Sequence, residues 1–200
     1  MTTDASTLDL LERAVTQLDA VIARVRPDEE ALPTPCGDWD VKALLTHLVG
    51  HSVPNLIVAA GGGAPDWQGE PKAVSPDWSG AYRKEADELL AAWRAADMDS
   101  MVTSGGGQAP LRSRADQQLA ELAVHTWDLA KATCQDTPLD PAVAEHTLSW
   151  SHQVLKPEYR GAGRAFGPEV PVASDAPSYD RLAGWFGRNP AWPADGDEPN

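Results

Sequence analysis

Two stretches of the chain carry side chains able to hold a metal ion. In Glu121-Leu-Ala-Val-His125-Thr-Trp-Asp128 a carboxylate and an imidazole stand four residues apart. On a helix of 3.6 residues per turn they share one face. In Trp39-Asp-Val-Lys-Ala-Leu-Leu-Thr-His47-Leu-Val-Gly a second imidazole sits beside the apolar positions Leu44 and Leu48. If the two helices pack together, His47, Glu121 and His125 make a three-ligand set with a position left open, the pattern of catalytic rather than structural zinc. Taken alone, such a pair is common by chance and is more often a surface pair or a core histidine bonded to a carboxylate. Both motifs border apolar stripes, however, and a carboxylate buried at a helix junction needs a partner, which a divalent cation supplies.

Asp128, one turn beyond His125, can accept a hydrogen bond from the ring nitrogen that faces away from a metal, or can simply face solvent. His51 follows His47 by one turn but lies near Pro54, so it reads as solvated or as a neighbour of the ligands. Cys36 precedes the helix, and the rise from the helix cap to His47 is on the order of 13 Å, so it reads as a small buried hydrophobe outside the ligand set. His146 and His152 have no ligand spacing and are expected in solvent. The glycine runs at 61–63 and 105–107 lack the context of a nucleotide-binding loop. Trp39, Trp93, Trp127 and Trp150 fall at expected helix positions and read mostly as core, whereas Trp67, Trp185 and Trp192 fall outside, where one could line a pocket.

Helical periodicity must position these groups. Leu8, Leu11, Val15, Leu18, Ile22 and Val25 mark a first helix, opened by Ser6 or Thr7 and stopped by Pro27. Asp38 suits the cap of the second, whose stripe is Val41, Leu44, Leu45 and Leu48 and which Pro54 should kink or interrupt. Residues 61–76 read as a long loop. A third helix runs from about 77 to 96 with Tyr82, Ala86, Leu89 and Trp93 in one stripe. After a break at 103–110, a fourth covers about 112–134, with Leu119, Leu122, Thr126 and Leu129 inward. A fifth opens at Asp140-Pro141 and ends at Lys156-Pro157. A short one covers about 178–187. No segment alternates convincingly with period two. The expected class is all-α: a four-helix bundle with one or two appended short helices and long Gly/Pro-rich loops. Residues 1–156 would hold the metal-binding bundle and its fifth helix. Residues 157–200 would pack on it as an extension with a frayed acidic tail, in a single domain overall.

The 200 residues carry a formal charge of −14. Such acidity repels phosphate backbones and anionic lipid, so neither nucleic acid nor membrane is an expected partner. No apolar run reads as the ~20 residues of a bilayer span, and the N-terminus lacks a secretory pattern. Two cysteines fit a reducing cytoplasm.

Pro33-Thr-Pro-Cys-Gly-Asp-Trp-Asp-Val-Lys-Ala-Leu-Leu-Thr-His47-Leu together with Glu121-Leu-Ala-Val-His125-Thr-Trp-Asp128-Leu resembles the metal-binding domain of mycothiol-dependent maleylpyruvate isomerases, within the DinB-like superfamily. Phe166-Gly-Pro-Glu-Val-Pro-Val and Asp180-Arg-Leu-Ala-Gly-Trp-Phe-Gly-Arg188 are similar to the stand-alone actinobacterial members. The resemblance implies that His47, Glu121 and His125 hold a divalent metal, usually zinc; nickel, iron and manganese also suit such ligands. It further implies mycothiol as cosubstrate and a thiol-dependent transferase or isomerase acting on a small electrophile. Too few residues follow the fifth helix for the isomerases' additional domain, so maleylpyruvate itself is not the expected substrate. The alternatives are a metal-dependent hydrolase using metal-bound water, for which Asp128 is the nameable base, and a non-catalytic metal-binding or stress protein. The expected partners are a small thiol and an electrophile, with room for a homodimer.

Overall fold

A computed structural model describes residues 6–37, 39–74, 76–104, 107–161 and 166–193. It is mainly helical. Helix α1, Thr7–Ile22, opens with a capping box: Ser6 Oγ accepts from Asp9 N–H, and Asp9 Oδ2 accepts from Ser6 N–H. Its buried stripe contains Leu11, Val15, Leu18 and Ile22. Helix α2, Val41–His47, is capped by Asp40, whose Oδ1 accepts from Ala43 N–H at 2.7 Å. The cap expected at Asp38 lies outside the described residues. The helical path continues as a π-helical segment, Leu48–Ser52, and then as α3, Val53–Ala60.

Pro54 has no N–H to offer Gly50, four residues back. The Gly50 carbonyl instead accepts from Lys72 N–H at 2.8 Å. Residues five apart stand about 140° apart around an α-helix, whereas a turn with i→i+5 pairing brings them nearly into line. The π segment thereby turns His47 and Ser52 toward the same neighbour. The path Val41–Ala60 is 20 residues long with mean hydropathy 1.4, enough by length and composition for a bilayer span. The expectation that no run has that length is therefore corrected: His47, His51 and Pro54 break the run visually but not its average. Over half of the span is buried in the fold, through Leu44, Leu45, Leu48, Val53 and Leu56, as in a core helix.

Helix α4, Trp78–Ala95, buries Tyr82, Ala86, Leu89 and Trp93. Helix α5, Arg112–Ala132, is the central element and buries Leu119, Leu122, Thr126 and Leu129 completely. The rods α1, α2–α3, α4 and α5 pack in a ring: α1 on α4 and α5, α3 on α4 and α5, and α2 on α5. Two large polar side chains enclosed there are satisfied. Trp93 Nε1–H donates to Gln118 Oε1 at 2.7 Å, and Gln118 Nε2–H to the Leu56 carbonyl at 2.9 Å, tying α4, α5 and α3 together. Helix α6, Pro141–Val154, packs on α5 and α1, and α7, Ser178–Trp185, packs on α6 and α5.

The purely helical expectation needs one correction. Strands β1, Met101–Ser104, and β2, Gly107–Pro110, form an antiparallel hairpin with Val102 opposite Ala109. Among the described side chains of the hairpin only those two turn partly inward, too few for an alternating pattern to register.

Candidate metal centre

Packing α2 against α5 brings the three predicted ligands together. One ligand atom from each of His47, Glu121 and His125 lies within 4.8 Å of the others. Glu121 Oε1 is 2.7 Å from His47 Nε2 and 3.6 Å from His125 Nε2. Ligands bonded at about 2 Å in a tetrahedral set stand about 3.3 Å apart, and the observed pair straddles that spacing. Ser52 Oγ–H also donates to Glu121 Oε1, at 3.0 Å. His125 is buried, while the side chains of His47 and Glu121 remain 20% and 29% exposed, so one side of the cluster is reachable from solvent.

The buried side of His125 is fixed by Asp128. Its Nδ1–H donates to Asp128 Oδ2 at 2.9 Å, leaving Nε2 to face Glu121 and His47. That is the arrangement by which a carboxylate orients a ligating imidazole. Asp128 is fully buried and so does not face solvent. Arg188, from the turn after α7, donates to it through Nε at 3.3 Å and Nη2 at 3.1 Å. Arg188 Nη2 also lies 3.2 Å from Cys36 Sγ.

These contacts set the protonation of the cluster. Burial alone would raise the Glu121 pKa. The His125 charge and hydrogen bonds from His47 and Ser52 outweigh it and bring the group down to about 2. Burial would lower the His125 pKa, but the Glu121 charge and bonds to Asp128 and Cys36 outweigh it and raise the group to about 10. For Arg188, burial lowers the pKa, and Asp128 and Cys36 reverse it, leaving the guanidinium firmly charged. Two imidazoles and a carboxylate converging on a solvent-facing point, with one imidazole already oriented, fit a divalent ion of the zinc type.

Several neighbouring expectations change. Cys36 is not a buried hydrophobe: it is partly exposed, and its Sγ lies within 4.8 Å of a ring nitrogen of His125. With His125 and Asp128 it forms a second cluster of ligand type, but Arg188 already supplies a cation to two of its three members. Trp39 is not a core helix residue. It precedes the Asp40 cap, is 36% exposed, and lies over His47 and His125 with ring centroids 4.7 and 6.2 Å away. His51 stands 5.9 Å from the His47 ring and bonds the Asp66 carbonyl through Nε2 at 3.2 Å. His146 is bound to Asp116 at 2.8 Å, and His152 is exposed but lies edge-on to Trp185 at 4.2 Å; neither stands simply in solvent. Trp67 does line the cleft over the site, together with Trp39, His47 and His51. Arg188 is the functional residue that spacing alone misses; the Gly-Trp-Phe-Gly-Arg188 motif was its sole signal.

The sequence pattern described as the mycothiol maleylpyruvate isomerase N-terminal domain matches residues 11–130, a stretch that contains His47, Glu121, His125 and Asp128. An uncharacterized protein of Mycobacterium tuberculosis, present in two strains, is 32% identical over 180 residues, covering 88% of this chain and 94% of that protein. The crystal structure of the mycothiol-dependent maleylpyruvate isomerase superposes with a TM-score of 0.51 at 19% identity, covering 76% of this chain and 75% of that one. A histidine-to-alanine mutant of it gives 0.54 at 18% identity, covering 84% and 77%. These two superpositions express likeness of fold.

Proposed function

The chain belongs to the family of the mycothiol maleylpyruvate isomerase N-terminal domain, and from that premise we propose that it is a metal- and thiol-dependent isomerase or transferase of a reducing cytoplasm. Its four rods are, in this proposal, a DinB-like four-helix bundle with α6 and α7 appended, in one domain. His47, Glu121 and His125 hold the metal, zinc by the character of the ligands. The supporting observation is the convergence of these three ligand groups within 4.8 Å, beside a cleft that His47 lines. When bound, such an ion supplies an open position at which a thiol loses its proton near neutral pH.

The chain's own residues do the rest. Asp128 holds the His125 tautomer, and Ser52 holds the Glu121 carboxylate in place. Trp39 shields the two imidazoles from bulk water. The cosubstrate is a low-molecular-weight thiol, mycothiol by family. Its sulfur adds to the electrophilic carbon of a conjugated C=C, and the π pair moves onto the activating carbonyl. Rotation about the resulting single bond and expulsion of the sulfur restores the double bond in the other geometry. Protonation at carbon instead leaves the conjugate.

The hydrolase alternative loses its base. Asp128 is buried and bonded to both His125 and Arg188, so it has no water to deprotonate. About a quarter of the isomerase chain has no counterpart in the superposition, so the electrophile is left as a class. Calorimetric titration with mycothiol tests the proposal: the zinc-loaded protein is expected to bind it and the metal-free protein not. Equal affinity in both forms refutes thiol binding at the metal.

A further inference from the structure

The two oxygens of the Glu121 carboxylate stand in different circumstances. Oε1 lies between the imidazoles, 2.7 Å from His47 Nε2 and 3.6 Å from His125 Nε2. It also accepts from Ser52 Oγ–H at 3.0 Å. Among the described residues, the hydrogen bonds of this side chain all fall on Oε1. When the two Nε2 atoms serve an ion they no longer donate, because a ligating imidazole is neutral and its ligating nitrogen carries no proton. Ser52 is then the described donor that stays on Oε1.

The direction of the Ser52 hydroxyl is not what its own helix asks for. The residue has no exposed surface, so its hydroxyl needs a partner. A serine or threonine inside a helix commonly turns back onto the carbonyl four residues earlier. Thr126 and Thr133 do so here, onto Leu122 and Leu129. Ser52 instead reaches across to α5, to a residue 69 positions away in the chain. The π segment presents it there. Val53 N–H donates to the Leu48 carbonyl, five residues back. Pro54 leaves the Gly50 carbonyl free for Lys72 N–H, which fastens the loop after α3 to this turn.

A carboxylate can hold a metal through one oxygen or through both. Engaging both requires the group to swing about its last torsion, which is soft and broad for a glutamate. A hydrogen bond on Oε1 resists that swing. The chain then offers two nitrogens and one oxygen, and an ion that takes four ligands keeps a position open. With both oxygens engaged the chain would offer four donor atoms, and ions that favour larger, oxygen-rich shells, such as manganese, would gain on zinc.

Resting on the metal-binding reading above, we propose that Ser52 is a positioning residue that keeps Glu121 a one-oxygen ligand, and that it thereby selects a four-coordinate ion of the zinc type.

The test loads the full chain with cobalt(II) and reads its visible spectrum, which is intense for four-coordinate cobalt and weak for higher coordination numbers. Zinc and manganese affinities are measured alongside by competition with a chelator. Helical circular dichroism and the melt of the metal-free protein are recorded for each variant. Ser52→Ala is expected to weaken zinc about tenfold, the lower end of losing a group that orients a ligand, to leave manganese within about twofold, and to weaken the cobalt bands. Ser52→Thr keeps a hydroxyl and is expected to restore the spectrum of the unaltered chain. A serine that served the fold alone would change the melt and leave the bands and the zinc-to-manganese ratio as they were, and that result overturns the proposal. A folded Ser52→Thr protein that matches Ser52→Ala overturns it as well. If Ser52→Thr does not fold, Ser52→Ala decides alone. Glu121→Gln marks off failure of the site itself: if the unaltered chain binds neither cobalt nor zinc, or if Glu121→Gln leaves the cobalt spectrum unchanged, the metal-binding reading is refuted and the inference falls with it.

Discussion

Asp128→Asn isolates the buried end of the site. Asp128 has no exposed surface, and its two oxygens accept from His125 Nδ1, Arg188 Nε and Arg188 Nη2. Asparagine keeps the shape but discards the charge and one of the two acceptors. The Arg188 side chain is only 12% exposed, so its guanidinium cannot regain water without moving the turn after α7. Removing one partner of a buried pair costs ~3–5 kcal/mol, against ~0–1 kcal/mol for a surface pair. The residual exposure of Arg188 puts the expectation near the lower end, about 3 kcal/mol in urea unfolding of the metal-free protein. Zinc affinity should also fall, by about 10–100-fold, because the His125 ring loses the anion that orients it. Arg188→Leu separates the two effects. It strands the Asp128 charge and destabilises the fold comparably, but keeps the acceptor at Nδ1, so zinc affinity should stay within a few-fold. The double variant should be less destabilised than the two singles added together. An Asp128→Asn cost below about 1 kcal/mol with unchanged zinc affinity would show that this carboxylate neither stabilises the pair nor orients the ligand.

Three further outcomes are expected. His47→Ala and His125→Ala should each lower the zinc content of purified protein while keeping the helical spectrum; full zinc retention in either would remove that residue from the ligand set. Gly50→Ala places a methyl group 2.6 Å from the Lys72 carbonyl oxygen and 3.1 Å from Val74 Cγ2. Overpacking of this kind costs ~1–3 kcal/mol and should speed proteolysis within 66–74, so an unchanged digestion pattern would speak against the fastened loop. Finally, in metal-free protein the His125 pKa stands near 10 rather than 6.5 and that of Glu121 near 2 rather than 4.5. The histidine's contribution is complete below pH 6.5 and is lost as pH rises through about 10; the glutamate's is present above 4.5 and is lost as pH falls toward 2. Thermal melts of chelator-treated protein should therefore decline from pH 6.5 to 10, and the decline should vanish in His125→Gln; an identical slope in that variant would locate the titration elsewhere.

What sequence spacing could reveal here was what is local. The stripes of α1, α4 and α5 follow from 3–4 spacing, because a helix fixes which residues share a face whatever packs on it. The Glu121/His125 pair follows for the same reason. Errors began where the choice was between equivalent local signals. Asp40 caps α2, and the helix therefore starts after Trp39, which stands over the imidazoles rather than in the expected core position. The π segment was partly foreshadowed by Pro54. Its consequence was not: Ser52 turns onto Glu121 through a helical register that hydrophobic periodicity does not encode.

Cys36 and Arg188 show why the remainder was beyond reach. The rise from the expected cap at Asp38 to His47 is on the order of 13 Å, a span that takes Cys36 away from the site. A distance along one helix bounds nothing about a site assembled between two, and Cys36 meets His125 of α5 rather than His47. Arg188 lies 60 residues from Asp128 and 152 from Cys36, separations over which no periodicity acts. Its position decides the chemistry nonetheless. His125 belongs to two clusters of ligand type, one with His47 and Glu121 and one with Cys36 and Asp128. The second would compete for a metal if its anions were unpaired. Arg188 brings a guanidinium against both Asp128 and Cys36, and a divalent ion there would have to displace a buried, doubly bonded cation. Under the proposed function, the Arg188 charge disfavours a cation at the second cluster and leaves the cluster of His47, Glu121 and His125 as the place for a metal.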